Sequence, residues 1–146
     1  MFNQKTIGQI LSGIIFLLVL LWVYTAASKL SDITEFKRQL NSQTFSHTHA
    51  ALLVWLIPIC EICAAALLLF KQTIKLGLVL SLVLMALFTA YIVLVLAGYY
   101  DRIPCSCGGV LKQLGWQAHL YFNLFFLTLS IIGLLLLHKQ KVLLRN

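Results

Sequence analysis

The chain has 146 residues, of which 61% are hydrophobic and only 10% charged, and its mean hydropathy is +0.95. Soluble domains carry about 25% charged residues, so this composition excludes an ordinary water-soluble domain and makes a bilayer the solvent. The formal net charge is +7, but the basic residues flank apolar runs instead of gathering on a polar surface, which argues against a nucleic-acid partner.

Four apolar stretches, roughly 7–27, 52–70, 76–97 and 117–137, approach the length of about 20 residues that a spanning helix needs. They predict a single-domain, all-α, polytopic membrane four-helix bundle. No period-two alternation supports a membrane β-barrel. The first stretch imitates a signal peptide, with Ala26-Ala27 as a weak cleavage site. Its apolar part exceeds the usual length of about 7–15 residues, so it reads as a retained helix. After it, Asp32 and Glu35 form a capping-box variant, and Ile33, Phe36 and Leu40 recur at helical spacing. This predicts a short amphipathic helix on the outer surface, in the first outer loop. A polar turn, Asn41-Ser42-Gln43-Thr44, and then His47 and His49 lead into the second span.

Four spans place both termini on one side. That side carries Lys5, Lys71, Lys75, Lys139, Lys141 and Arg145, six basic residues and no acidic one. The other carries Lys29, Lys37, Arg38, Arg102 and Lys112 against Asp32, Glu35 and Asp101. The short, purely basic turn between spans 2 and 3 favours cytoplasmic termini, in a bacterial inner membrane with the loop before span 4 periplasmic. Trp22, Tyr24, Trp55, Tyr99, Tyr100 and Trp116 fall near the outer ends of their spans and read as an interfacial aromatic belt.

That last loop holds Cys105-Ser106-Cys107-Gly108-Gly109, just after Pro104. Two thiols one residue apart close a small, strained disulfide, which is easily reduced and suits a redox role. The alternatives are inert thiols, or a metal half-site completed by His47, His49 and His119. Within span 2, Cys60 and Cys63 share a helix face about 12–17 Å deep at 1.5 Å per residue. They read either as small apolar residues or as a second dithiol relaying electrons to or from Cys105 and Cys107.

Glu61 is the only acidic residue inside a span. A carboxyl there is costly and becomes a candidate for proton transfer or for a hydrogen bond across the bundle. Pro58 frees the carbonyl of Val54, which either makes room for a cofactor or leaves a packing kink. At the start of span 4, Trp116, His119 and Asn123 share a face. His119 could shuttle a thiol proton or belong, with Asn123, to a polar seam between helices. Lys29 reads as a snorkelling residue, with a role beside Glu61 or the cysteines as the alternative.

Taken together, Ser28-Lys29-Leu30 followed by Phe36, Pro58-x-x-Glu61, and Cys105-x-Cys107-Gly-Gly before span 4 resemble the MauE/DoxX-like family over nearly the whole chain. The resemblance implies a role in methylamine metabolism. It implies maturation of an exported, disulfide-rich protein with a thioredoxin-like periplasmic partner. Cys105 and Cys107 would be the redox pair, with Lys29, Pro58 and Glu61 at family positions. The chain departs from the methylamine-pathway members in having Gly108 after the second cysteine and in carrying Cys60 and Cys63.

The expected function is therefore thiol–disulfide electron exchange between that partner and a membrane acceptor or donor. By analogy with other four-helix disulfide-generating proteins, a quinone is the candidate cofactor; no metal is expected. A chain this small could form a homo-oligomer or join a larger complex. Two rival functions are a non-catalytic scaffold that docks a partner, and a small transporter centred on Glu61.

Overall fold

The computed structural model describes residues 4–41, 47–99 and 115–143, with the side chains of residue 39 and residues 47–50 excepted. Five helices follow in order: α1 Gln4–Ser31, α2 Ile33–Asn41, α3 His47–Leu69, α4 Ile74–Leu96 and α5 Trp116–Leu143. No strand occurs among the described residues. Four of these helices, α1, α3, α4 and α5, are long and apolar enough to cross a membrane. The protein is a multi-pass membrane helix bundle.

The helices pack in a ring, α1 on α3, α3 on α4, α4 on α5 and α5 back on α1. Each spanning helix runs antiparallel to its neighbours. The start of α1, the end of α5 and the α3–α4 turn lie at one end, and α2, the end of α4 and the start of α5 lie at the other. α1 and α5 have 28 residues each, about 42 Å at 1.5 Å per residue. This exceeds a hydrocarbon core of about 30 Å, an excess that tilt or projection takes up. The helix that carries the first span continues to Ser31.

The core is built from Leu11, Leu18 and Trp22 of α1, Ala64 and Leu68 of α3, Leu78 and Met85 of α4, and Phe126 of α5. Small residues let the backbones approach. A Cβ on Gly77 would lie 2.8 Å from the backbone nitrogen of Leu68. Two buried hydroxyls are satisfied within their own helices, Thr89 donating to the Met85 carbonyl at 2.7 Å and Ser130 to that of Phe126 at 3.0 Å.

The expected amphipathic helix is α2. The Asp32 carboxylate accepts from the Glu35 backbone N–H at 3.0 Å, which caps it. Glu35 does not complete the box; it takes a bidentate pair from Arg38 at 2.8 and 2.9 Å. Phe36 and Leu40 are buried against Val54, so α2 is packed on the first turns of α3. At its far end α4 closes in a Schellman motif. Tyr99 N–H donates to Leu94 and Gly98 N–H to Val95, both at 3.1 Å. Gly98 supplies the required left-handed backbone with φ of 71°.

Candidate functional site

The inward stripe of α1, Leu18, Leu21, Trp22, Ala26 and Lys29, ends on a cation. Lys29 is only 5% exposed. Its Nζ donates to Glu61 Oε1 of α3 at 2.7 Å and to the Thr25 carbonyl at 3.3 Å. Phe36 of α2 presents its ring 5.9 Å from the ammonium. The snorkelling expectation for Lys29 is thus wrong, and helix geometry gives the reason. Cα–Cβ bonds tilt toward a helix N-terminus, so a lysine in the last turn of α1 points back into the bundle, away from the nearby membrane surface. Glu61, with no exposure at all, receives it.

Trp22 corrects a second expectation. It is fully buried, not part of an interfacial belt. Its Nε1–H donates to Ser81 Oγ of α4 at 2.8 Å, and its ring packs on Phe88 with centroids 6.4 Å apart. Because α1 continues to Ser31, Trp22 stands nine residues below the helix end, deep in the bundle. Tyr24, Trp55 and Tyr99 are exposed, as a belt requires.

Beside the Lys29–Glu61 pair, residues of four helices line a small cavity of about 20 Å³. Leu21, Trp22 and Thr25 of α1, Met85 and Phe88 of α4, and His119, Phe122 and Asn123 of α5 complete its wall. His119 and Asn123 are 3% and 4% exposed. The space suits about one water, whereas an apolar cavity of about 150 Å³ is what accommodates a benzene ring. The residues here therefore do not fit a quinone ring.

The structure brings together four of the residues singled out in the sequence: Lys29, Glu61, His119 and Asn123. Trp116, half-buried, opens α5 but does not line the cavity. Pro58 is buried in an unbroken α3 and also stands outside that wall. Cys60 is half-buried against the core and Cys63 faces outward; both are free thiols. Cys105 and Cys107 lie outside the described residues, as do Tyr100 and the side chains of His47 and His49.

Sequence reasoning missed Ser81 and Thr25 and misjudged Trp22. A signal was available: in an apolar span an isolated hydroxyl marks the face turned toward protein. Ser81, Thr89 and Ser130 are all buried, although Ser12 and Thr128 are exposed, so the signal is a tendency of such residues and not a rule.

No curated protein and no solved structure matches the chain. The family described as Methylamine utilisation protein MauE matches residues 7–136, which covers most of each of the four spans and every residue of the buried site. The chain belongs to the MauE family of methylamine-utilisation-associated membrane proteins.

Proposed function

We propose that this protein is a membrane thiol–disulfide redox protein whose reactive pair is Cys105 and Cys107. The observation that carries the reading is the placement of Cys105-Ser106-Cys107-Gly108-Gly109 in the chain, inside the stretch matched by the MauE family. The segment connects the Schellman-capped end of α4 to the first turn of α5.

The partner is a thioredoxin-like protein on the outer side of a bacterial inner membrane, with the chain termini cytoplasmic. A partner thiolate attacks one sulfur of the Cys105–Cys107 disulfide, breaking that S–S bond as a mixed disulfide forms. The partner's second thiolate then displaces the sulfur of this chain. The partner leaves oxidised, and Cys105 and Cys107 are left as thiols, so two electrons and two protons have changed hands. Run in reverse, the same steps reduce the partner. A membrane acceptor or donor of two electrons resets the pair, and the cycle supports maturation of exported disulfide-containing proteins. The pairing of Glu61 with Lys29 weighs against a transport pathway built on Glu61.

The test is alkylation-shift mapping of all four cysteines in native membranes, with and without mild reductant, alongside Cys107→Ser. The expected result is a Cys105–Cys107 disulfide that cycles, and a mixed disulfide with a soluble partner trapped by the variant. Thiols that stay reduced throughout, or a disulfide that resists reductant, would overturn the reading.

A further inference from the structure

Three polar atoms in the wall of the central cavity are fully buried and have no hydrogen-bond partner: Glu61 Oε2, His119 Nδ1 and Asn123 Nδ2. Leaving a buried polar group unpaired costs about 1–3 kcal/mol each. Three such atoms around one small space are not a stable arrangement by themselves. A carboxylate oxygen only accepts, an amide nitrogen only donates, and a neutral imidazole nitrogen without its hydrogen accepts. One water, with two hydrogens to give and lone pairs to receive, matches that set. A buried water typically makes about three hydrogen bonds and needs about 10–15 Å³; the cavity offers about 20 Å³.

We infer that the cavity is a binding site for a single structural water, which accepts from Asn123 Nδ2 and donates to Glu61 Oε2 and His119 Nδ1. The water joins α3 to α5 and extends the Lys29–Glu61 pair into one hydrogen-bonded chain across three helices. His119 takes the tautomer with its hydrogen on Nε2. The charged and titratable groups facing the water are Lys29 from α1, Glu61 from α3 and His119 from α5; α4 contributes only Met85 and Phe88. None of this requires redox activity of Cys105 and Cys107, so the two readings fail separately.

The test uses the full-length protein in lipid bilayers, with carbonyl-13C alanine and 15N histidine. Ala118-His119 is the sole Ala-His pair in the sequence, which isolates His119 in solid-state NMR spectra. The expected result is an Nδ1 without a bonded hydrogen that receives magnetisation from exchangeable water protons. Asn123→Leu, which removes the donor and fills the space, should abolish that transfer. A hydrogen bonded to Nδ1, or no transfer from water in the unmodified protein, would overturn the inference. Transfer that persists undiminished in a folded Asn123→Leu protein would do so too.

Discussion

Replacing Lys29 by methionine leaves the Glu61 carboxylate in the bundle interior with no counter-charge. The two groups are 2.7 Å apart and 5% and 0% exposed. At an effective dielectric constant of about 20, Coulomb attraction across that distance is about 6 kcal/mol. Desolvation of both ions offsets much of it, so the pair adds little compared with a well-packed apolar pair. Removing one partner strands the other, and such changes cost about 3–5 kcal/mol. Lys29→Met is expected at the lower end of that range, because a denatured state in detergent also holds Glu61 near apolar groups. Glu61→Leu should cost a similar amount, by stranding the ammonium. The double variant should recover most of the loss and lie within about 1 kcal/mol of the parent, giving a coupling energy larger than either residual. Equilibrium unfolding of the four proteins in mixed micelles measures the cycle. Single variants that each cost under about 1 kcal/mol, or a double variant whose cost equals the sum of the singles, would refute this account of the site.

Two further substitutions probe the frame around the site. Gly77→Ala places a Cβ 2.8 Å from the Leu68 nitrogen and 3.0 Å from the Leu67 carbonyl carbon, both backbone atoms that cannot swing aside. It should destabilise by about 1–3 kcal/mol, whereas Gly13→Ala, with nothing within 4 Å, should not; thermal unfolding in detergent separates them, and equal midpoints would refute the close approach. Trp22→Phe removes the donor to Ser81 and leaves that buried hydroxyl unpaired, a loss of about 1–3 kcal/mol. Adding Ser81→Ala should recover part of it, and strictly additive losses would count against the bond.

Hydropathy sufficed for the existence and approximate position of the four spans, because an uncharged run long enough to cross lipid has few other fates. α2 was also legible, since Asp32 announced its start and Ile33, Phe36 and Leu40 its buried face. The same reasoning marked Glu61, His119 and Asn123, because polar groups at membrane depth need a reason to be there. Which way each span faces was decided by the tertiary structure. Lipid is as apolar as the core, so leucines on either side of a helix look alike, and periodicity no longer separates inside from outside. Trp22 read as a belt residue until the length of α1 and the Ser81 hydroxyl set it in the core. Lys29 read as a residue reaching for water until its place in the last turn of α1 turned its side chain down toward Glu61. A sequence states which groups must be satisfied inside a membrane; only the packing of helices from distant parts of the chain decides which group satisfies which.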